Sequence, residues 1–203
     1  MRTRIKICGF TRVEDAVFAA RLGVDAIGLV FYAPSPRNVQ INQANEIVKA
    51  LPAFVTVVAL FVDEQESVIR KVLEQVPIDC LQFHGDEPPE ACRVYGKRYI
   101  KALRMQEGMD VAELAKQYHD ADGLLLDAYH PGVKGGTGNR FDWGLIPKRC
   151  DLPMILAGGL DATNVKVSIE KVRPYALDVS SGVETIKGIK DKEKIAAFMS
   201  AVH

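Results

Sequence analysis

Two ionisable side chains close short apolar runs and could act on one molecule together. Cys8 ends the run Arg4–Cys8, and Asp127 ends the run Gly123–Asp127. A thiol and a carboxyl separated by a substrate-sized gap can serve as base and acid on two atoms of one substrate. An unperturbed thiol titrates near about 8.5, so it becomes an effective base at neutral pH only if its pKa is lowered. The carboxyl would have to be raised to start protonated. Each residue also has a plain structural reading. Cys8 fits a small buried side chain, and Asp127 fits a loop cap or an acceptor for a main-chain N–H. Arg37, after Ser35-Pro36, can grip a carboxylate with both prongs of its guanidinium or simply be solvated. His84 can be a donor, a general base or a satisfied loop residue.

Glycine-rich segments supply a second kind of chemistry. Phosphate is held well by backbone N–H groups, which need small residues for close approach. Ala157-Gly158-Gly159-Leu160 and Val179-Ser180-Ser181-Gly182 have that character. Either segment alone reads as an ordinary turn. Together, after two consecutive late strands, they point to phosphate binding by Gly158, Gly159, Ser180 and Ser181, the usual place for it in a β/α barrel. Gly135-Gly136-Thr137-Gly138 is no Walker loop, because no Lys-Ser/Thr follows it. It reads either as a flap that closes over substrate or as an ordinary turn, and Gly136 joins the phosphate set. His84, His119, His130 and His203 are scattered without metal-ligand spacing. A Ser-His-Asp site would want an elbow motif that is not found.

These residues gain meaning from the elements that carry them. Eight candidate strands run through the chain: Arg4–Cys8, Ala26–Val30, Thr56–Phe61, Cys80–Phe83, Tyr99–Leu103, Gly123–Asp127, Met154–Ala157 and Ala176–Val179. Several are almost continuously apolar, as strands buried on both faces are. Helical periods lie between them. Val13, Ala16, Val17 and Ala20 mark one helix, with Thr11 and Glu14 at capping-box spacing and Gly23 placed to stop it. Ala44, Ile47, Val48 and Leu51 mark the next. Val68, Ile69, Val72, Leu73 and Val76 follow, with Asp63 as N-cap. Pro88 and Pro89 suit the first turn of a short helix. Val111, Leu114, Ala115 and Tyr118 repeat the period, as do Ile195, Phe198, Met199 and Val202. The segment after Asp142 carries the weakest helical pattern.

Eight β-then-α units imply parallel strands with right-handed crossovers. An open doubly wound sheet competes with a closed barrel. The first strand ends in Cys8-Gly9-Phe10-Thr11, which is no dinucleotide fingerprint, and eight even repeats favour closure. The expected fold is α/β, a (β/α)8 TIM barrel of phosphate-binding type, with residues 1–203 as one compact domain. A barrel works at the C-terminal ends of its strands, where Cys8, Arg37, His84, Asp127, Asp178 and the glycine segments all fall.

Composition narrows the partners. Lys and Arg number 26 and Asp and Glu number 26, a net charge of zero. That argues against nucleic acid or an anionic membrane as partner, so any anion site is local. The apolar part of MRTRIKICGF is too short for a signal-peptide core, and no run reaches membrane-spanning length. Cys8, Cys80, Cys92 and Cys150 form no CxxC pair and read as reduced thiols of a cytoplasmic protein.

Seven segments in order then bring out a family resemblance. They are Lys6-Ile7-Cys8-Gly9, Ser35-Pro36-Arg37, Gln82-Phe83-His84-Gly85-Asp86-Glu87, Leu126-Asp127, Gly135-Gly136-Thr137-Gly138 with Phe141-Asp142-Trp143, Leu156-Ala157-Gly158-Gly159-Leu160, and Asp178-Val179-Ser180-Ser181-Gly182-Val183-Glu184. The chain resembles the phosphoribosylanthranilate isomerases of tryptophan biosynthesis over essentially its whole length. The resemblance implies an Amadori rearrangement of N-(5-phosphoribosyl)anthranilate to 1-(2-carboxyphenylamino)-1-deoxyribulose 5-phosphate, without cofactor or metal. It makes Asp127 the general acid and Cys8 the general base. It makes Arg37 the holder of the anthranilate carboxylate, and it places His84 and Asp178 at the sugar hydroxyls. It implies a small phosphosugar-anthranilate as ligand, and a monomer or homodimer. Phe10, Phe83 and Lys187 depart from the usual family pattern. The competing enzymes are the related isomerase of histidine biosynthesis and an indole-forming synthase. The first would have a carboxylate at the base position and a second phosphate site. The second would want a lysine at the strand ends, where Lys6 and Lys101 decide nothing. A catalytically silent phosphometabolite-binding barrel is the reading from outside enzymes.

Overall fold

The computed structural model describes residues 2–128 and 141–202. Its eight parallel strands are β1 (Arg4–Cys8), β2 (Ala26–Val30), β3 (Thr56–Phe61), β4 (Cys80–Phe83), β5 (Arg98–Met105), β6 (Gly123–Ala128), β7 (Met154–Leu156) and β8 (Ala176–Val179). They close into a barrel in chain order, with β8 returning to pair with β1. The expected TIM barrel is therefore the fold. Five strands have the bounds read from their apolar runs, and β5 extends further at both ends.

The period-two alternation of a strand divides the buried residues into two layers. Ile5 and Ile7 pack outward into the large cluster shared with the helices, as do Leu81 and Phe83 of β4 and Leu124 and Leu126 of β6. The alternate residues fill the inside. Ala102, Leu125, Ile155, Ala157 and Ala176 form one inner cluster. Cys8, Val30, Leu60 and Val62 form another, beside the C-terminal ends of β1 to β3. Apolar burial on both faces is what an all-parallel barrel demands.

Helices α1 (Val13–Arg21), α2 (Ile41–Ala50), α3 (Glu66–Gln75), α4 (Pro89–Cys92), α5 (Val111–Gln117), α6 (Val165–Val172) and α7 (Lys192–Val202) lie between the strands and after the last. Pro88 and Pro89 open α4 as expected. Gly23, at φ 87°, follows the end of α1. Local expectations fail where a long-range bond wins. Thr11 does not cap α1: its hydroxyl donates to the Gly188 carbonyl, and the helix begins after Arg12 without a side-chain cap. Asp63 does not cap α3, which begins after Gln65. Its carboxylate instead accepts the Asp86 N–H at 2.6 Å. The buried face of α1 centres on Asp15, Ala16 and Ala19, not on Val13 and Val17, because Asp15 takes two bonds from Arg12 and one from the Lys190 N–H. Between Asp142 and β7 the chain forms only the 3₁₀ turn Trp143–Leu145.

One element was unforeseen. Between β8 and α7 the chain makes an antiparallel hairpin, β9 (Glu184–Ile186) and β10 (Ile189–Lys190). Gly188 turns it at φ 87°, and a Cβ there would sit 2.8 Å from the Pro36 carbonyl oxygen. The hairpin is thereby pressed against the loop that carries Arg37.

Candidate active site

The end of β1 places a thiol beside two cations. Lys6 and Cys8 are two residues apart and so face the same interior. Lys6 stands opposite Asp178 in the β1–β8 register, and its Nζ lies 3.0 Å from each carboxylate oxygen. Burial works against the charge on Lys6, but the Asp178 carboxylate holds its ammonium above the usual value. Cys8 is 6% exposed. Burial pushes its thiol up, Lys6 and Lys190 pull it down, and Asp178 adds to the rise. Gly28 stands opposite Cys8 on β2, and a Cβ there would lie 2.6 Å from Sγ. Only glycine leaves the thiol its present place.

Across the mouth, β4 and β6 bring together a chain of three polar side chains. His84 Nε2 lies 3.1 Å from Asp127 Oδ2, and Gln82 Nε2 lies 2.9 Å from His84 Nδ1. The roles along this chain turn with the tautomer: Asp127 donates to Nε2 when it carries the proton and accepts from it when it does not. Asp127 Oδ1 accepts the Ala128 N–H at 2.8 Å. Gln82 Oε1 is buried without a partner among the described residues. Asp178 lies within electrostatic reach of both His84 and Asp127, so it links the two sides.

Arg37 is buried, and its fork is occupied by the protein's own carboxylate. Nε and Nη2 donate to the two Glu184 oxygens at 2.8 and 2.7 Å. Burial would raise Glu184, but Arg37 and Lys190 outweigh it and hold its carboxyl below the usual range. Gly9, at φ 82°, clears a path for this arginine, since a Cβ would overlap its Cδ.

The glycine segments take the shape of an anion cradle. Gly158 and Gly159 have φ of 83° and 62°, open to glycine. A Cβ on Gly158 would come within 2.8 Å of the Ala128 nitrogen and 3.1 Å of Asp127 Oδ1. Among the described residues the N–H groups of Gly158 and Gly159 find no protein acceptor. Ser180 Oγ donates to the Cys8 carbonyl at 3.0 Å. Ser181 begins a 3₁₀ turn, Ser181–Val183, whose Gly182 packs directly on the Leu160 carbonyl. Gly136, and the flap expected at Gly135–Gly138, lie outside the described residues.

The structure thus gathers Cys8, Asp178, Arg37 and Ser180 on one side of the mouth, and His84, Asp127 and Gly158 on the other. Sequence reasoning set Lys6 aside and did not single out Gln82, Glu184 or Lys190. Lys6 and Gln82 were within reach of the period-two rule, each two residues before an inward-facing group of interest. Glu184 meets Arg37 across 147 residues of chain, a pairing no local pattern marks. Among the described residues no cluster of His, Cys, Asp or Glu is arranged to hold a metal, and no helix is long and apolar enough to cross a membrane.

A closed parallel barrel with its ionisable side chains collected at the strand C-termini defines the class, a TIM-barrel enzyme. The family model for N-(5'-phosphoribosyl)anthranilate (PRA) isomerase matches residues 5–201. The N-(5'-phosphoribosyl)anthranilate isomerase of Nitrosococcus oceani is 58% identical over 202 residues, covering 100% of this chain and 98% of that one. The solved phosphoribosyl anthranilate isomerase of Thermotoga maritima superposes with a TM-score of 0.90 at 40% identity, covering 98% of both chains. A further solved isomerase, holding reduced 1-(o-carboxyphenylamino)-1-deoxyribulose 5-phosphate, gives 0.87 at 38% identity over 98% of both chains. The chain belongs to the N-(5'-phosphoribosyl)anthranilate isomerase family.

Proposed function

We propose that this chain converts N-(5-phosphoribosyl)anthranilate to 1-(2-carboxyphenylamino)-1-deoxyribulose 5-phosphate, in tryptophan biosynthesis, with Asp127 as general acid and Cys8 as general base. The observation that carries the assignment is the placing of Cys8 and of the His84–Asp127 pair in one barrel mouth, with Lys6 and Lys190 beside the thiol. Asp127 protonates the ribose ring oxygen while the anilino nitrogen lone pair expels it from C1. The ring opens to a protonated Schiff base. Cys8 then takes the proton from C2, and the C–H electron pair forms the C1–C2 double bond as the iminium collapses to an enolamine. Tautomerisation places a proton on C1 and leaves the ketone at C2, so the overall change is isomerisation. Gly158, Gly159, Ser180 and Ser181 cradle the phosphate, together with Gly136. His84 and Asp178 face the sugar hydroxyls.

Arg37 meets the anthranilate carboxylate with the guanidinium edge that Glu184 leaves unused. Glu184 sets the plane of the guanidinium, so the ligand finds it already oriented.

The test is loss of substrate fluorescence with purified protein. Cys8→Ala and Asp127→Asn should each lower kcat by about 10²–10⁴-fold at little-changed KM. Near-full turnover by Cys8→Ala would remove the thiol from the mechanism.

A further inference from the structure

Lys190, at the end of the hairpin, is a buried cation that the reaction steps above leave without a task. Its side chain has no exposed surface. Its backbone is held on both sides: the N–H donates to Asp15 at 3.2 Å, and the carbonyl accepts from Arg12 Nη2 at 3.4 Å. Asp15 and Arg12 are themselves joined by two bonds of 2.8 and 2.9 Å. From this fixed base the ammonium reaches into the mouth. Its Nζ donates to the Cys8 carbonyl at 2.6 Å, the Ser180 carbonyl at 3.1 Å and Glu184 Oε1 at 2.9 Å.

An ammonium has three protons, and these three acceptors satisfy all of them. A buried cation without such partners would be strongly disfavoured. All three acceptors sit on segments that carry proposed reacting or binding groups. Cys8 is the base, Ser180 belongs to the phosphate cradle, and Glu184 passes the contact on to Arg37. The Cys8 carbonyl is bound a second time, by Ser180 Oγ. The ends of β1 and β8 and the hairpin therefore meet at one nitrogen, and the loop after β2 joins them through Glu184.

We propose that Lys190 is a positioning residue for the isomerisation: its ammonium fixes the Cys8 backbone, the Ser180 backbone and the Glu184 carboxylate against one another, and so holds the base, the phosphate cradle and the Arg37 fork in one geometry. The proposal rests on the isomerase reading above. It carries an electrostatic consequence as well. The charged groups facing Cys8 are Lys6 on its own strand, Asp178 on β8, Lys190 on the hairpin and Arg37 on the loop after β2. His84 and Asp127 lie beyond Asp178. Lys190 is one of the cations favouring the thiolate; burial pulls its ammonium below the usual value, and Glu184 holds it up.

The experiment is the pH profile of kcat/KM for the wild type, Lys190→Gln, Lys190→Arg and Glu184→Gln, with circular dichroism melting to confirm the fold of each. Lys190→Gln should lower kcat at least tenfold and move the base limb upward by about one pH unit. Lys190→Arg keeps the charge and should return the limb to the wild-type position. Glu184→Gln removes the carboxylate that keeps the buried ammonium charged and should move the limb the same way, to higher pH. Return of the limb in Lys190→Arg separates this role from general damage to the hairpin, which a charge-keeping substitution would not repair. A folded Lys190→Gln with the wild-type limb overturns the proposal. Should that variant not fold, an unmoved limb in Glu184→Gln overturns it equally. Absence of turnover in the wild type overturns the isomerase reading and this proposal with it. Turnover with unmoved limbs overturns the proposal alone.

Discussion

Gly28→Ala is the sharpest probe of Cys8, because it disturbs the thiol without touching it chemically. Gly28 faces Cys8 in the β1–β2 register. An added Cβ would lie 2.6 Å from Sγ, 3.0 Å from the Cys8 Cα and 3.1 Å from its Cβ. Optimal heavy-atom contact is about 3.5–4.0 Å, so Sγ must retreat by about 1 Å. The backbone atom at 3.0 Å cannot rotate away, so β1 and β2 must also separate slightly. Overpacking of this kind costs about 1–3 kcal/mol, which for a chain of this size is a fall in Tm of about 2–12 °C. A 1 Å displacement of a reacting group costs about 10²-fold in rate, or about 2.7 kcal/mol of barrier. The expected result is a folded protein with kcat down about a hundredfold and the phosphate affinity nearly unchanged. Gly23→Ala is the control. Its φ is 87°, but a Cβ there meets nothing within 4 Å, so it should lose stability through backbone strain alone and keep its kcat. The assay is substrate fluorescence beside a thermal melt. A Gly28→Ala protein that loses stability yet keeps wild-type kcat would refute the claim that the thiol's position matters to the chemistry.

Other variants address the remaining parts of the mouth. In Gly182→Ala the new Cβ overlaps the Leu160 carbonyl oxygen and lies 3.0 Å from its carbon, so the loops after β7 and β8 must part. Loss of one charge-assisted bond to phosphate, about 1.5–3 kcal/mol, should raise the inhibition constant for inorganic phosphate by about ten- to a hundredfold; competition kinetics will show it. Lys6→Met leaves Asp178 buried and unpaired and should destabilise by about 3–5 kcal/mol in urea titration, most of it recovered in Lys6→Met/Asp178→Leu. Glu184 sets a pH dependence of stability. Its folded pKa lies below its ordinary value of 4.5, so the unfolded chain binds the extra proton. The contribution is present above that value and is lost as pH falls through the folded one. The wild-type Tm should therefore drop more steeply than that of Glu184→Gln as pH falls below about 4.5, in melts at stepped pH.

The barrel was legible because its signals are local. Apolar runs such as Val57–Phe61 and Leu124–Leu126 mark strands buried on both faces, and their even spacing along the chain left closure as the natural arrangement. Cys8 and Asp127 were legible for the same reason, since each ends such a run. Local signals failed where a side chain had a better distant offer. Thr11 looks like a helix cap until Gly188 arrives from the other end of the chain. The hairpin of Glu184–Ile186 and Ile189–Lys190 is too short to show a period, and it is held by Thr11, Asp15 and Arg12, which only the closed barrel brings near. The Lys6–Asp178 pair depends on the β8–β1 register, which exists only once the sheet closes.

Arg37 shows what this missing information changes. Read from sequence, it is either a fork for a ligand carboxylate or a solvated side chain. In the structure the fork belongs to Glu184, which also receives Lys190. Lys6 and Asp178 cancel, whereas Arg37, Glu184 and Lys190 together retain one positive charge. Desolvated cations left free would each cost several kcal/mol, so carboxylates that pin them leave an excess smaller than the count of basic residues suggests. In a chain of zero net charge, such a local excess adds to the backbone N–H groups of the glycine cradle in attracting an anionic ligand. The buried carboxylate thus serves the anion site: it holds the guanidinium and the ammonium in fixed directions, and the charge it leaves over is what remains for the ligand to neutralise.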